Sequence, residues 1–466
     1  VNTLTDKKHV HFIGIGGIGI SAIARLLIAE GIGISGSDRS ASDITNSLQK
    51  AGATIFIGHA AENLPANCDT VVYTVAVPAD NPELTEARRR NLSAFSYPQT
   101  LEIISREKFT IAVSGTHGKT TTTAMLGSIL IEAGLDPTIL VGSLMTDPRQ
   151  SHSGAAVSQH GTNFISGKSR YFVVEADEYK KSFHNLFPKI LVITNIDADH
   201  LDFYKDLADI QASFAELARR VPADGFIICT TADPHLKPVI DDSGISARIL
   251  DYSTHSTASL KLHVPGAHNR QNAAAAGTAA AALGVSLPAI NSALEHFRGT
   301  WRRFQYKGET TEGALVFDDY AHNPKKVAAA IAGAREAYPK HRIITVFQPH
   351  LYSRTKSLFN EFVEALGTAD HVILLPIYAA REQFDPSISS DMLNDAINTS
   401  SKKPNSQGFS SGHFSTVCSD FSIAKEYLTD ILKTPKIKGS SPKKPNLIIV
   451  MGAGDVNALS DMLVVE

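Results

Sequence analysis

The sequence predicts a chain of three α/β domains built on mostly parallel sheets, and three observations predict it. The chain is 466 residues long, beyond the size of one ordinary domain. Short β-branched runs alternate with stretches of helical spacing along most of it, the pattern of parallel strands joined by crossover helices. Two of these strands run into glycine-rich turns that open helices, at residues 14–19 and 115–119. In α/β sheets such turns meet phosphate groups, because unpaired N–H groups and the helix dipole favour an anion there.

The middle turn, V-S-G-T-H-G-K-T-T-T-T-A-M-L over 113–126, organises the chain. Gly115 and Gly118 let the backbone approach phosphates, Lys119 supplies a point charge, and the Thr120 hydroxyl can reach a magnesium ion. The spacing G-x-x-G-K-T is two residues shorter than the general P-loop pattern. A plain Gly/Thr-rich helix start with a solvated lysine is the bland alternative.

The first turn follows a strand at 9–14 and precedes a helical run at 18–29. Gly14, Gly16 and Gly19 satisfy the dinucleotide fingerprint, and the next strand ends at Ser37-Asp38, where a ribose-binding acid would sit. A tight βα turn with glycines for packing is the alternative. Further alternation at 44–50, 54–57, 70–74 and 82–91 completes a Rossmann-like domain, 1–107. The central, P-loop-type ATPase domain spans 108–297. Its strands at 171–175 and 190–194 end in E-A-D-E and N-I-D-A-D-H-L-D. Taken as adjacent strands, they deliver Glu175 and His200 to the ligand-binding edge. With Thr120 these two can complete a Mg²⁺ shell, and the histidine also suits Mn²⁺. Helices are expected at 207–221 and 273–283. Asn269 and Asn272 lie three apart, suited to reading a base edge or to capping.

A second Rossmann-like domain, 298–466, starts near F-R-G-T-W-R-R-F. Its loops D-D-Y-A-H-N-P and F-Q-P-H-L-Y-S-R-T follow strands at 314–317 and 342–347. Arginines there can grip anionic oxygens in bidentate fashion. Ser/Lys/Pro-rich stretches at 399–412 and 434–445 read as surface loops.

Composition narrows the function. With 43% hydrophobic and 20% charged residues the chain reads as soluble and globular, and a net charge of −3 gives no footprint for nucleic acid. Glycines and Arg25 break the longest apolar run, so no membrane insertion is expected. The cysteines, Cys68, Cys229 and Cys418, lack metal-type spacing and fit a reducing, cytoplasmic setting.

These motifs, in this order, closely resemble the Mur ligases, ATP-dependent amide ligases of peptidoglycan precursor synthesis. The resemblance rests on H-F-I-G-I-G-G-I-G-I-S-A, G-T-H-G-K-T-T-T, T-N-I-D-A-D-H-L-D, H-N-x-x-N, R-R-F, D-D-Y-A-H, F-Q-P-H-x-Y-S-R-T and the terminal G-A-G-D. It covers nearly the whole chain and implies UDP-N-acetylmuramate and L-alanine as substrates, with ATP and Mg²⁺, in a monomer or homodimer. By resemblance Gly16, Gly17, Ile18, Gly19, Ser37 and Asp38 contact the UDP-sugar. Gly115, Thr116, His117, Gly118, Lys119, Thr120, Thr121, Asn272, Arg303 and Asp319 contact ATP. Thr120, Glu175 and His200 hold metal, with Lys119, Glu175 and His200 catalytic. Tyr320, His322 and Arg354 reach the muramyl group or the amino acid.

The chain also departs from the family pattern. Leu351 stands where an arginine is usual, Asn323 replaces a second histidine, and the segment between Asp251 and Pro265 is short. Lys180 and Lys181 follow the acidic motif, and residues 206–221 contain no lysine, as in the alanine-adding branch. A ligase of recycled murein tripeptide and a non-catalytic nucleotide-sugar binder are the competing readings. A dehydrogenase would leave the P-loop unexplained.

Overall fold

The computed structural model describes residues 4, 6–145, 147–151, 161–201, 203–380, 382–400, 414–433 and 444–464. Asp202 of the D-H-L-D motif and most of the two Ser/Lys/Pro-rich stretches lie outside them. Thr399 and Ser400, expected in a loop, instead close the helix Ser390–Ser400.

The chain forms two compact units. The first comprises the chain to His263 together with Arg270–Arg298 and holds two sheets. Its first sheet contains β1 (His9–Ile13), β2 (Gly33–Asp38), β3 (Thr54–Ile57), β4 (Thr70–Tyr73) and β5 (Ser93–Ser96), in the order β3-β2-β1-β4-β5. All pairings are parallel, with β1 central and buried. The order reverses at β1, so the glycine turn after it opens at the switch point.

The second sheet contains β6 (Phe109–Ser114), β7 (Thr138–Met145), β8 (Thr162–Ile165), β9 (Tyr171–Glu175), β10 (Ile190–Ile193), β11 (Phe226–Cys229) and β12 (Arg248–Asp251). Their order is β12-β11-β10-β6-β9-β7-β8, and only β7–β8 is antiparallel. This corrects one expectation: β9 and β10 are not neighbours. The P-loop strand β6 lies between them, with Ala112 level with Val174 on one side and Leu191 on the other. The cause is burial, since T-I-A-V-S has no edge tolerant of water and takes a partner on each side. The helix after it, Lys119–Glu132, is buried from Thr120 to Leu130. Four successive threonines are poor helix formers, but burial outweighs propensity here.

The second unit comprises Val264–Asn269 and the chain from Gly299. Its strands are β13 (Gln305–Glu309), β14 (Leu315–Asp319), β15 (Arg342–Phe347), β16 (His371–Leu374), β17 (Phe414–Val417) and β18 (Asn446–Met451). The order is β13-β14-β18-β15-β16-β17, antiparallel only at β13–β14. The last strand, N-L-I-I-V-M, sits between β14 and β15 and is apolar because both its faces are covered. The helix expected at 273–283 begins six residues earlier, as Ala267–Ala282.

Candidate functional site

The P-loop is held by its own backbone and by the segment after β10. Gly115 and Gly118 have φ of 130° and 85°, conformations that penalise a side chain. A Cβ on Gly115 would strike the Thr194 hydroxyl, and one on Gly118 the Asn272 amide. The segment after β10 holds the loop by its backbone. The Asn195 carbonyl accepts from Thr116 N–H at 3.0 Å, and its side chain accepts from His117 N–H at 2.9 Å. The Thr194 hydroxyl and Asn195 amide donate to the His117 carbonyl at 2.6 and 3.0 Å. Gly118 caps the helix with no side-chain bond, which leaves first-turn N–H groups for an anion.

Successive P-loop residues meet acids from the end of β9. Lys119 Nζ donates to Glu178 at 2.7 and 3.0 Å and to the Gly115 carbonyl at 2.7 Å. The Thr120 hydroxyl donates to Glu175 Oε1 at 2.9 Å, while Gly142 N–H donates to Oε2 at 2.6 Å. Burial alone would discharge Lys119, but the Glu178 and Asp177 charges outweigh it and hold the ammonium above its ordinary pKa. Burial would likewise raise Glu178, yet Lys119 and His200 hold it down to about 2. His200, bonded to Glu178, is raised and favours its protonated form.

Ligand atoms of Asp177, Glu178 and His200 lie within 4.8 Å of one another, the one such group among the described residues. Glu175, which the sequence reading joined to His200, is not part of it and stands instead against Thr120. Which acid meets Lys119 follows from the β6–β9 register, with Val113 level with Glu175. Glu178 and Asp177 were therefore missed, although a buried lysine before a motif with three acids was a signal for a counter-ion. The carboxylates of Glu175, Asp177 and Glu178, the Thr120 hydroxyl and one imidazole offer mainly oxygen donors, so the residues fit Mg²⁺.

At the first glycine turn, Gly14 and Ile15 N–H donate to the Ser37 carbonyl at 2.8 and 3.0 Å, and Gly16 N–H to Asp38 Oδ2 at 2.8 Å. A Cβ on Gly16 would lie 2.8 Å from that carboxylate, and one on Gly19 would lie 2.7 Å from the Tyr97 hydroxyl. Gly17 and Ile18 are exposed, and the Ile18 carbonyl accepts from the Asn163 amide. Ser37 is buried, with its hydroxyl donating to Glu83 at 2.6 Å. Glu83, His59 and Tyr97 escaped the sequence reading because nothing local marks them.

In the second unit, Asp319 accepts from Phe304 and Ala321 N–H at 2.7 and 2.8 Å. Arg303 lies between Arg302 and Phe304, both left-handed at φ of 55° and 49°. Arg302 holds that strained turn by donating to the Gly454 and Gly452 carbonyls at 2.8 and 2.5 Å, with Asp318 at 3.3 Å. Arg303 stands 5.1 Å over the Tyr320 ring. Tyr320 meets His322 edge-on at 5.2 Å, and Arg354 reaches His350 at 3.2 Å. Burial, with Lys326 and Arg354 nearby, keeps His322 well below its ordinary pKa, so the ring is neutral. Asn323 caps the next helix, Pro324–Ala337, by accepting from Lys326 N–H at 2.9 Å, a task suited to its short amide. Leu351 is buried with φ of 70°. Asn269, one of the two asparagines weighed for base reading, donates to the Pro265 carbonyl at 2.7 Å at its own helix start.

The parallel sheets, P-loop and acid-matched lysine and threonine define a nucleotide-dependent enzyme. Comparison with known proteins narrows the class. The family model described as Mur ligase family, catalytic domain, matches residues 9–109. The Mur ligase middle domain matches 113–261, and the Mur ligase glutamate ligase domain matches 302–454. The chain belongs to the Mur ligase family, and it is an ATP-dependent ligase. Its full-length relatives include the UDP-N-acetylmuramate–L-alanine ligase of Clostridium perfringens, 39% identical over 98% of this chain and 97% of the relative. The enzyme of the same name from Clostridium novyi is 40% identical over 99% and 98%. Among solved structures, the UDP-N-acetylmuramate-alanine ligase of Thermotoga maritima is 27% identical, covers 98% of both chains and has a TM-score of 0.72. A murein peptide ligase from Psychrobacter arcticus, at 24% identity and a TM-score of 0.63 over 98% of both chains, shares the fold.

Proposed function

We propose that this chain joins the carboxylate of UDP-N-acetylmuramate to the amine of L-alanine, driven by ATP, in peptidoglycan precursor synthesis. The observation that carries this reading is the P-loop's Lys119 and Thr120, each matched to a buried or half-buried acid at the edge of a parallel sheet. The names of the full-length relatives supply the substrate pair.

A carboxylate is a poor acyl donor, so ATP first converts it to an acyl phosphate, which the alanine amine attacks with loss of phosphate. The P-loop amides and Lys119 bind and orient the transferring phosphoryl group and neutralise its oxygens, most of what a protein can do for such a step. Thr120, Glu175 and the group Asp177, Glu178 and His200 would hold Mg²⁺, which supplies further charge neutralisation when bound. The contact with Glu178 raises the proton affinity of His200, which strengthens it as a base for the alanine amine. Residues 1–107 take the UDP moiety at Gly16–Gly19, Ser37 and Asp38, and residues 108–297 take ATP and metal. Residues 298–466 contribute Arg303, Asp319, Tyr320, His322 and Arg354. The nucleotide substrates fit a cytoplasmic enzyme, and no described helix is long and apolar enough to cross a membrane.

The test is phosphate release from ATP with UDP-N-acetylmuramate and Mg²⁺, supplying L-alanine, glycine, L-serine or the murein tripeptide in turn. Strong dependence on L-alanine supports the reading. Turnover with the tripeptide alone transfers the chain to recycling, and ATP binding without any turnover makes it a non-catalytic binder. In the last case Leu351→Arg restores the missing cation and is the variant to assay next.

A further inference from the structure

We propose that Glu83 is a positioning residue of the nucleotide site in the first unit: through Ser37 it fixes which nitrogen of His59 carries the proton. The proposal rests on the reading of that sheet edge as the UDP-sugar site.

Glu83 lies in the first turn of the helix Pro82–Arg89 and is fully buried. Both of its oxygens are used. Oε1 accepts from Ala60 N–H at 3.2 Å and the Asn63 amide at 2.8 Å. Oε2 accepts from the Ser37 hydroxyl at 2.6 Å and faces His11 Nε2 at 3.3 Å. Burial would neutralise such a group, but its bonds to His11, Ser37 and Asn63 outweigh burial and keep it ionised. An ionised carboxylate only accepts, so the Ser37 proton points at Glu83. The Ser37 oxygen is then left to accept, and its other neighbour is His59 Nδ1 at 2.9 Å. That nitrogen must carry hydrogen, which in the neutral ring leaves His59 Nε2 as a lone pair.

His59 follows β3, beside the strand that ends in Ser37 and Asp38, and its side chain is 19% exposed. At this edge an acceptor nitrogen suits a hydrogen-bond donor of a nucleoside diphosphate. Two donors of UDP qualify, the imide N3–H of uracil and a ribose hydroxyl.

Glu83→Gln reverses the relay. Ala60 N–H cannot turn, so the glutamine oxygen stays on that side and its NH₂ faces Ser37. Ser37 must then accept from the amide and donate to His59 Nδ1, which moves the imidazole proton to Nε2. His11, bonded to Ser35 at 2.8 Å through its other nitrogen, accommodates the change by exchanging tautomers.

The first measurement is ¹⁵N NMR of the histidine rings in the ligand-free full chain, with His59 assigned by the signal lost in His59→Gln. The expected result is hydrogen on Nδ1 in the native protein and on Nε2 in Glu83→Gln. The second is calorimetric titration with UDP, N3-methyl-UDP and 2′,3′-dideoxy-UDP. The native protein should bind one of the two analogues about tenfold more weakly than UDP, and which one identifies the donor. Glu83→Gln should bind UDP about tenfold more weakly and no longer discriminate, with ATP binding retained as the sign of an intact fold. An Nε2–H tautomer in the native protein, or two analogues bound as tightly as UDP, overturns the proposal. If Glu83→Gln does not fold, the native tautomer and the native analogue titrations decide it alone. If UDP does not bind at all, the substrate reading fails, while the ring NMR still decides the relay.

Discussion

Lys119 is held by Glu178 where both side chains are nearly buried, 13% and 3% exposed. Removing one member of such a pair strands the other charge, which costs about 3 kcal/mol or more. Lys119→Met is therefore expected to lower unfolding free energy by that order in urea and to cut phosphate release by about 10²–10³-fold. Adding Glu178→Gln should restore most of the stability and none of the turnover. A single variant as stable as the native chain would show that the pair is solvent-compensated. At this scale the sequence was legible where the backbone dictates the residue: Gly115 and Gly118 sit at positive φ, and Gly16 lies against Asp38. Side-chain partners were less legible. Glu175 and Glu178 look alike in E-A-D-E, and only the offset between β6 and β9 assigns one to Thr120 and the other to Lys119.

The element that carries the site is the turn from β6 into the helix Lys119–Glu132. Gly118→Ala would put a methyl into the Asn272 amide and force an L-residue to φ of 85°. The second effect alone costs about 1–2 kcal/mol. A lowered melting temperature and at least about tenfold weaker ATP binding are expected, and Asn272→Ala should relieve the clash but not the backbone strain. Unchanged ATP titration in Gly118→Ala would mean that the loop reshapes freely. Strands covered on both faces were readable almost to the residue, as at β9, β15 and β18, and so were the edge strand β3 and the helix Pro324–Ala337. Two other strands at the margins were not. β13, Q-Y-K-G-E, pairs antiparallel at an edge and shows no alternation, and β5, S-A-F-S, is too short and polar to announce itself.

At the scale of the molecule, two groups of the second unit set opposing pH dependences. Burial lowers His371 to about 4, so between its ordinary 6.5 and 4 the unfolded chain binds more protons. Its contribution is complete above 6.5 and is lost as pH falls through 4, at most about 3 kcal/mol. Burial raises Asp318 to about 6 against an ordinary 3.8, so its penalty shrinks as pH falls through the same window. His371→Phe, which keeps a ring beside Tyr427, should therefore lose less stability than the native chain from pH 7 to 4. Equal losses in urea titrations would rule His371 out as the source. The three-domain expectation rested on alternation and glycine turns. The order within each sheet was not available from them, because the crossovers place β6 between strands that follow it in the chain. That central position makes the site a ruler. Glu175 and Glu178 are three residues apart and answer to the consecutive residues Thr120 and Lys119, so losing a residue between the two acids would pull Glu178 off Lys119. Over long descent, then, insertions and deletions between Gly115 and Thr120, or between Glu175 and Glu178, are changes that lineages should lack.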